Sequence, residues 1–285
     1  MPSFRPWSAA DGEESLFEDE VPRLDEEFEL DSRPERDEEL GHDEELRRYE
    51  RQVRIFGEEG QEALKRSTVF IVGAGGLGSA VSIYLAAAGI GHLIVADGDV
   101  VEKSNLNRQI LHGTKDIGRS KSFSAENALQ DLNPEIRVEA IEDFIDEDNL
   151  MELTNGADLI VDALDNFSAR YILNLAVLAK NVPLFHGAIS GYNGQATTII
   201  PGKTACLRCL FPRAPPKRTS PALGATCGVI GSIQALEVVK YLTSSGDLLE
   251  NRLLIWDGAR AKMDEVAIER NPECPDCKRS QANFK

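Results

Sequence analysis

The feature that most constrains the fold is a short apolar run that leads directly into a glycine-rich turn. Thr68–Val72 is β-branched and aromatic, which is typical of a buried strand. Gly73–Gly78 follows and fits the pattern Gly-x-Gly-x-x-Gly. Ser79–Ala88 suits a helix, and His92–Asp97 has the composition of a second strand. Strand, turn, helix and strand within about 30 residues predict a βαβ unit, and hence a parallel sheet with right-handed crossovers.

The same alternation continues along the chain and predicts a Rossmann-like, doubly wound α/β fold. We expect a mixed sheet, parallel in its first half and antiparallel in its later half. The further predicted helices are Lys121–Leu132, Ala169–Lys180 and Ser232–Thr243. The further predicted strands are Arg137–Ile141, Asp158–Ala163, Val182–His186, Gln195–Ile200 and Leu253–Trp256.

Most of the negative charge lies at the N-terminus. The net charge of the chain is −17, and residues 1–45 hold 18 acidic side chains against 4 arginines, so −14 belongs to this segment and −3 to the rest. Acid clusters with few hydrophobic residues predict a disordered arm over 1–45, better explained as a solubilising tail than as a docking segment. The folded domain is predicted over 46–285.

The lack of a long basic run argues against nucleic acid as the main partner.

No segment predicts export or membrane insertion. The N-terminal residues are not followed by the apolar core of a signal peptide. Residues 69–96 carry no formal charge, but six of them are glycine and they coincide with the predicted βαβ unit. We therefore predict a cytoplasmic protein.

The glycine turn predicts a phosphate-binding site. Bare backbone amides at the start of a helix can receive phosphate, here at Gly73, Gly75, Gly76 and Gly78. Asp97 ends the next strand, where an acid accepts hydrogen bonds from ribose hydroxyls. These residues fit a dinucleotide and a mononucleotide equally, and a turn that only packs tightly is the alternative without a ligand.

The residues after Asp97 favour a nucleoside triphosphate. Ser104–Gln109 and Ile117–Lys121 place an amide, a guanidinium and an ammonium downstream of the second strand. Arginine binds phosphate as a fork and lysine as a point charge, so these groups could surround a triphosphate.

A magnesium ligand is predicted where the buried strand Asp158–Ala163 ends. Carboxylates at this place suit Mg²⁺ that bridges phosphates. Asp165 lies further beyond the strand and is the better candidate, whereas Asp162 could equally be a structural acid that binds loop amides.

Four of the five cysteines form two Cys-x-x-Cys pairs separated by 64 residues. Four thiolates complete a tetrahedral zinc shell, so Cys206, Cys209, Cys274 and Cys277 are predicted to staple the C-terminal segment to the domain. Two disulfides are the alternative, disfavoured in a chain without an export signal. His92, His112 and His186 could each be a structural ring.

With these motifs in order, the sequence from about Leu46 to Lys278 resembles the ThiF/MoeB/HesA adenylyltransferases, which are related to ubiquitin-activating enzymes. It is most similar to the MoeB/ThiF sulfur-carrier adenylyltransferases. The motifs that carry the resemblance are Arg48–Gln52, Gly73–Gly78, Asp97–Asp99, Ser104–Gln109, Gly118 with Lys121, Asp165–Asn166, Arg170–Tyr171, the cysteine pairs and Gly228–Ala235.

The resemblance implies roles for individual residues. Gly76 would contact phosphate, Asp97 would bind ribose, and the triphosphate would be held by Asn105, Arg108 and Gln109. Lys121 would neutralise it, and Asp165 would bind Mg²⁺. Arg51 would enter the site of a partner subunit, which implies a homodimer. The alternative for Arg48 and Arg51 is a surface helix on which they pair with Glu45 and Glu50.

The implied reaction is ATP-dependent adenylylation of the C-terminal carboxylate of a ubiquitin-like sulfur carrier ending in Gly-Gly, with release of pyrophosphate. Eight residues follow Cys277, so we expect no sulfurtransferase domain and a separate protein as sulfur donor. Some relatives carry a cysteine that bonds to the carrier, but Cys227 directly precedes Gly228 and is better explained as a buried packing thiol.

Three alternatives stay open at this point. The glycine loop and Asp97 alone would also fit an NAD- or FAD-dependent oxidoreductase. A pseudo-enzyme could hold a carrier without catalysis. Adenylylation could instead act on the carboxylate of a cofactor precursor or a modified tRNA base. The pathway, whether thiamine, molybdopterin or tRNA thiolation, does not follow from the sequence.

Overall fold

The computed structural model describes residues 44–214 and 221–278. The predicted acidic arm, residues 1–45, lies outside the described residues except for its last two positions. Those two positions begin helix α1 (Glu44–Arg66).

The described residues form one eight-stranded sheet. Its strands are β1 (Thr68–Val72), β2 (His92–Ala96), β3 (Arg137–Ile141), β4 (Leu159–Asp162), β5 (Leu184–Ser190), β6 (Asn193–Ile199), β7 (Arg252–Asp257) and β8 (Lys262–Ala267). The order is β3-β2-β1-β4-β5-β6-β7-β8. Pairing is parallel from β3 to β5 and antiparallel from β5 to β8. The predicted mixed sheet is confirmed, whereas β8 is an addition that the sequence analysis missed.

Helices cover both faces of the sheet, as a doubly wound fold requires. Besides α1 they are α2 (Gly76–Ala88), α3 (Lys121–Leu132), α4 (Leu150–Leu153), α5 (Phe167–Lys180), α6 (Leu207–Leu210) and α7 (Gly224–Thr243). Successive side chains of a strand face opposite ways. Accordingly Val69 and Ile71 pack in a core with α1, α2, α3 and α7, whereas Phe70 and Val72 pack on the other face against α5 and the cysteine segment.

The last helix begins eight residues before its predicted start, at Gly224 instead of Ser232. Glycine is a poor helix former, so this stretch gives a weak signal in the sequence. Packing supplies the stability: a Cβ at Gly231 would lie 2.7 Å from the Cβ of Ala80, so α7 and α2 approach closely there. No helix in the described ranges is both long and apolar enough to cross a membrane.

The first helix is fixed to the ends of α2 and α3 by polar contacts. The Tyr49 hydroxyl accepts a hydrogen bond of 2.8 Å from Asn133 Nδ2, and Gln52 Nε2 donates to the Ala88 carbonyl at 2.7 Å. The helix is interrupted at Gly57, where φ is +75°. These contacts set which face of α1 is turned away from the domain.

The parallel strands end together at one side of the sheet, which we call the carboxyl edge. Val72 of β1 is in register with Ala96 of β2 and with Asp162 of β4. Ligands of open α/β sheets bind outside the carboxyl ends of the strands. The loops that follow β1, β2 and β4 therefore meet where a ligand is expected.

Candidate active site and metal centre

The glycine loop joins β1 to α2 in a turn that excludes side chains. Gly73 has a φ of +101°, and a Cβ there would lie 2.9 Å from the Ala163 carbonyl oxygen. A Cβ at Gly78 would lie 1.8 Å from the Gly73 carbonyl oxygen. Gly75 precedes α2 without a side-chain cap, and the first turn has no acidic residue. The positive end of the helix dipole and the first amides of α2 thus lie at the carboxyl edge, and no acidic side chain of the first turn neutralises them. Such a helix N-terminus suits a phosphate.

Asp97, half-buried beyond β2, links that strand to the glycine loop. Its Oδ2 accepts a hydrogen bond of 2.8 Å from the Ala74 amide, and its Oδ1 accepts one of 2.9 Å from the Asp99 amide. Each carboxylate oxygen can accept more than one hydrogen bond. The carboxylate is therefore held in place while keeping the capacity to accept from ribose hydroxyls.

The segment around Arg108 lies against the glycine loop. An added Cβ at Gly76 would lie 3.5 Å from Arg108 Cγ, and one at Gly75 would lie 3.8 Å from Gln109 Nε2. Gln109 is buried, and its Oε1 has no hydrogen-bond partner among the described residues. A buried acceptor without a donor is costly. The other atom of this amide, Nε2, is a donor on the side of the glycine loop, where a phosphate oxygen could accept from it.

Asn105 and Lys121, two further predicted triphosphate-binding residues, are both buried. The Asn105 Oδ1 accepts a hydrogen bond of 3.0 Å from the Glu102 amide. Lys121 begins α3, and its Nζ lies 2.8 Å from Oδ2 of Asp99, whose side chain is exposed. The predicted triphosphate-binding residues are thus present at one edge, but the lysine is paired with a carboxylate of the chain.

The Arg108 guanidinium is likewise held by neighbours. Its Nη1 donates to the Ser104 carbonyl and to Asn107 Oδ1, both at 3.0 Å. These acceptors are neutral, so a phosphate offers a stronger, charge-assisted hydrogen bond. Arg108 can therefore exchange these partners for a phosphate oxygen.

The two acids after β4 have different environments. Asp165 is exposed, with Asn166 Nδ2 3.4 Å from its Oδ1. Asp162 is fully buried and accepts a hydrogen bond from the Leu164 amide at 3.0 Å. Burial raises the pKa of Asp162, but Arg170 and His186 outweigh this effect and bring the pKa below its ordinary value. Asp162 is therefore engaged within the interior, whereas Asp165 exposes its carboxylate at the carboxyl edge.

His112 is a residue of this edge whose position the sequence analysis did not foresee. Its Nε2 lies 3.0 Å from the Ala74 carbonyl oxygen and its Nδ1 lies 2.9 Å from Ser124 Oγ. Burial lowers the pKa of this imidazole. The ring connects the glycine loop to α3, the helix that begins at Lys121.

Arg51 lies on the exposed surface of α1. The proposed pairing with Glu50 is not observed, because Glu50 instead pairs with Arg54 at 2.8 Å. Arg48 is also engaged elsewhere: its Nη1 donates to the Leu132 carbonyl at 3.2 Å. The surface-helix alternative thus fits the exposure of Arg51 but not the predicted ion pair with Glu50.

The fold brings the two cysteine pairs together. The Sγ atoms of Cys206, Cys209, Cys274 and Cys277 all lie within 4.8 Å of one another. Cys206 Sγ is 3.7 Å from Cys209, 3.7 Å from Cys274 and 3.5 Å from Cys277. All four are free thiols, so the disulfide alternative is wrong. A Zn–S bond of about 2.3 Å gives a tetrahedron with edges of about 3.8 Å, so the cluster can hold a tetrahedral metal such as zinc.

Hydrogen bonds around the cluster fix its geometry. Asn174 donates to Asp276 Oδ2 at 2.8 Å and accepts from the Leu207 amide at 3.0 Å. Arg208 stacks on the Tyr171 ring, with 3.3 Å between its Cζ and the ring centroid. These contacts join both cysteine pairs to α5, and no sequence motif predicts the contribution of Asn174.

The thiols are already differentiated by their contacts. The hydrogen bond with Cys206 lowers the pKa of Cys277 to about 5, whereas burial raises the pKa of Cys274 to about 11. Arg270 adds to the lowering at Cys277. A metal binds thiolates, so its binding would release the protons that the thiols hold.

Cys227, in the first turns of α7, lies apart from this cluster. It is buried, and an added Cβ at Gly76 would lie 2.6 Å from its Sγ. Burial raises the pKa of this thiol against a smaller opposite effect of Arg108. A buried thiol with a raised pKa is a poor nucleophile, which supports the packing interpretation.

An open sheet that collects phosphate-binding groups along its carboxyl edge is characteristic of nucleotide-binding α/β enzymes. The chain is a protein of that class. The family model described as the ThiF family matches residues 49–276, and the chain belongs to this family.

Curated relatives agree with the predicted resemblance. The chain is 45% identical over 240 residues to the SAMP-activating enzyme E1 of Haloferax volcanii, covering 81% of this chain and 88% of that protein. It is 42% identical over 247 residues to the sulfur carrier protein adenylyltransferase of Thermus thermophilus, covering 82% and 91%. The predicted family and the enzyme class, an adenylyltransferase, are confirmed. The oxidoreductase alternative is not supported.

Solved structures of E. coli MccB share the fold. The complex with ATP has a TM-score of 0.74 and 26% identity over 81% of this chain and 73% of that one. The complex with MccA-N7isoASN has a TM-score of 0.75 and 25% identity over 83% and 75%.

Proposed function

We propose that this enzyme adenylylates the C-terminal glycine carboxylate of a ubiquitin-like sulfur-carrier protein, using ATP and releasing pyrophosphate. The observation that carries the proposal is the contact of Arg108 and Gln109 with the glycine loop. It brings a cation and an amide donor, Gln109 Nε2, to the helix N-terminus that suits phosphate. The names of the two curated relatives support a sulfur carrier or SAMP as the substrate.

The chemistry requires alignment and charge stabilisation. A carrier carboxylate oxygen attacks the α-phosphorus of ATP, the bond from that phosphorus to the bridging oxygen of the β-phosphate breaks, and pyrophosphate leaves. The carboxylate is already ionised at neutral pH, so no general base is needed. Arg108 and Lys121 would stabilise the charge that builds on the phosphates. Gly76, Asp97, Asn105 and Gln109 would bind and orient the nucleotide.

Asp165 would hold a magnesium ion. Its carboxylate is exposed at the carboxyl edge, and hard carboxylate oxygens are the protein ligands that Mg²⁺ prefers. When bound, the ion would neutralise phosphate charge.

The active unit would be a homodimer with Arg51 contributed across the interface. The contacts of Tyr49 and Gln52 hold the helix so that Arg51 is exposed, where a partner subunit could meet it. Zinc is the proposed occupant of the four-cysteine centre, where it would tie the segment of Cys274 and Cys277 to that of Cys206 and Cys209.

Sulfur would come from a separate donor protein, for cofactor synthesis of the thiamine or molybdopterin type or for tRNA thiolation. The cytoplasmic location stays a prediction. The fold shared with MccB, which has been crystallised with MccA, favours a second candidate, in which another polypeptide ending in a carboxylate takes the place of the ubiquitin-like carrier.

The test is exchange of labelled pyrophosphate into ATP. We expect exchange with a ubiquitin-like carrier ending in Gly-Gly, and none with the same carrier lacking its last glycine or carrying a C-terminal amide. Exchange with short unrelated peptides but not with carriers would support the second candidate. Binding of NADH without any ATP–pyrophosphate exchange would contradict both.

A further inference from the structure

A buried polar cluster lies directly beneath the loop that carries Asp165. It consists of Asp162 at the end of β4, His186 in β5 and Arg170 in α5, with side chains 0%, 0% and 5% exposed. Asp162 and His186 are neighbours in the parallel pairing of β4 and β5. His186 Nδ1 lies 2.6 Å from Asp162 Oδ2, and Arg170 Nε lies 3.1 Å from the same oxygen.

The hydrogen bonds define the role of each ring nitrogen of His186. Its Nδ1 faces a carboxylate, which can only accept, so this nitrogen donates. Its Nε2 lies 3.3 Å from Gln195 Nε2, and an amide nitrogen donates, so Nε2 accepts. The ring is therefore neutral with its proton on Nδ1, the nitrogen that faces Asp162.

The cluster holds the next loop through both backbone polar groups of one residue, Leu164. The Leu164 amide donates to Asp162 Oδ1 at 3.0 Å, and the Leu164 carbonyl accepts from Arg170 Nη2 at 2.5 Å. Arg170 Nη2 also donates to the Gly187 carbonyl at 3.0 Å. Asp165 is the residue after Leu164, and it has no comparable anchor of its own because its side chain is exposed.

The same loop supports the nucleotide side of the edge. The position of a Cβ at Gly73 is 2.9 Å from the Ala163 carbonyl oxygen, so the loop after β4 packs against the glycine loop. A buried ion pair is a weak source of stability, because desolvation opposes the attraction of the charges. The ion pair between Asp162 and Arg170 instead fixes the backbone next to the exposed carboxylate of Asp165.

We propose that His186 is a positioning residue, which orients Asp162 and Arg170 and thereby holds the Asp165 carboxylate where it can bind the magnesium of the nucleotide. The proposal rests on the proposed function of Asp165 and deepens it. His186 is fully buried and does not itself reach the ligand. Partners behind a metal ligand commonly change metal affinity by about 10- to 100-fold.

The experiment compares His186→Leu, which removes both hydrogen bonds at similar volume, with His186→Asn, whose amide can still donate to Asp162. The matched control is Thr198→Val, which removes a buried hydrogen bond of 2.6 Å to Glu237 in another part of the sheet. The measurements are Mg²⁺ dependence of nucleotide binding by calorimetry, Mg²⁺ dependence of pyrophosphate exchange, and the thermal midpoint.

We expect His186→Leu to raise the half-saturating Mg²⁺ concentration on the order of tenfold. In His186→Asn this concentration should stay close to the wild-type value. Thr198→Val should lower the thermal midpoint without changing Mg²⁺ dependence. In an Asp165→Asn background, His186→Leu should have no further effect on Mg²⁺, because the two act through one ligand. Equal thermal losses with unchanged Mg²⁺ dependence would overturn the proposal.

If His186→Leu does not fold, a comparison of His186→Asn with His186→Gln gives the same test. Asparagine places its amide near the position of Nδ1, whereas glutamine places it near the position of Nε2. Equal Mg²⁺ dependence in these two folded variants would also overturn the proposal. Failure of the proposed function is separate: wild-type protein would then bind Mg²⁺ and ATP but exchange no pyrophosphate, and calorimetry would still report on His186.

Discussion

The cysteine centre and the carboxyl edge differ in how completely the folded chain assembles them. At the cysteine centre, four ligand atoms from two distant segments lie within 4.8 Å of one another. At the carboxyl edge the cations have local partners instead: Lys121 pairs with Asp99 and Arg108 donates to Ser104 and Asn107. The cysteine centre has all its ligand atoms in place within the chain, whereas the cations of the carboxyl edge are held by partners that a phosphate could replace.

This difference follows from what each place would do. A structural metal needs a closed shell of ligands fixed by the fold. In a phosphate site, the lysine and arginine side chains must leave their partners in the free protein to bind the substrate. Exposed acids such as Asp99 and neutral acceptors hold them weakly, so they suit this purpose. The rigid parts of the edge are the backbone amides of the glycine loop and the buried groups beneath it, Gln109, His112 and Asp162.

The largest expected effect is on catalysis at the edge. Replacing Arg108 with alanine removes a charge that would stabilise the phosphates, and by analogy with arginine fingers the exchange rate should fall on the order of 10³-fold. The thermal midpoint should change little, because the guanidinium is only partly buried. Arg137→Ala, which removes an exposed arginine from the start of β3, is the matched control. Loss of less than a few-fold at Arg108 would show that the edge does not use it.

Arg51 offers a test of whether the edge is completed by a second subunit. Arg51→Ala and Asp165→Asn should each be nearly inactive in pyrophosphate exchange. When the two variants are mixed and allowed to exchange subunits, heterodimers would contain one intact site of two, so about a quarter of the wild-type activity should return. Recovery that fails although subunit exchange is verified would refute a site shared between subunits. A mixture of Arg51→Ala with Arg54→Ala, which alters a neighbouring exposed arginine, calibrates the assay.

The cysteine centre should respond in stability rather than in chemistry. Cys274→Ser removes one ligand from the tetrahedron and should abolish stoichiometric zinc. A loss of about 4 kcal/mol would lower the thermal midpoint by roughly 8–16 °C in a domain of this size. Zinc content measured by mass spectrometry and thermal unfolding check this. Cys227→Ala should keep the zinc, and a full zinc complement in Cys274→Ser would contradict the assigned ligand set.

Local patterns in the sequence account for most of the fold. Helix α3 and strand β3 match their predicted limits of Lys121–Leu132 and Arg137–Ile141, because apolar periodicity and Asn133-Pro134 mark the helix end clearly. The cysteine ligands were equally predictable, because their chemistry is carried by spacing. Strand β8 was not predictable, since Lys262–Ala267 is exposed throughout and lacks alternation. Its stability comes from pairing with β7, which no local pattern encodes.

The candidate site was predictable in its residues but not in its supports. Asp97 and Arg108 follow the glycine loop closely in the sequence, so their spacing from the loop was enough to predict them. By contrast, His112 meets Ala74 across 38 residues and His186 meets Asp162 across 24. Those partners depend on which strands become neighbours and which helix covers them, and a single histidine in a sequence gives no sign of either.

The smallest expected effect is a pH dependence of stability that originates at the buried histidines of the carboxyl edge. Burial lowers the pKa values of His112 and His186 in the folded protein. Below an unfolded-state pKa of about 6.5, the unfolded chain therefore binds protons that the folded chain does not. The free energy of unfolding should be greatest above that pH and decrease as the pH falls, by up to about 1.4 kcal/mol per pH unit for each ring.

Denaturant unfolding of zinc-loaded protein between pH 7.5 and 5.5 measures this slope. His112→Asn and His186→Asn should each make the decline shallower, since asparagine does not titrate there. The cysteine centre also binds protons when it loses its metal, so zinc content must be followed at each pH. A slope that is unchanged in both variants while zinc stays bound would place the acid sensitivity outside the carboxyl edge, and the two regions would then differ in assembly but not in their response to pH.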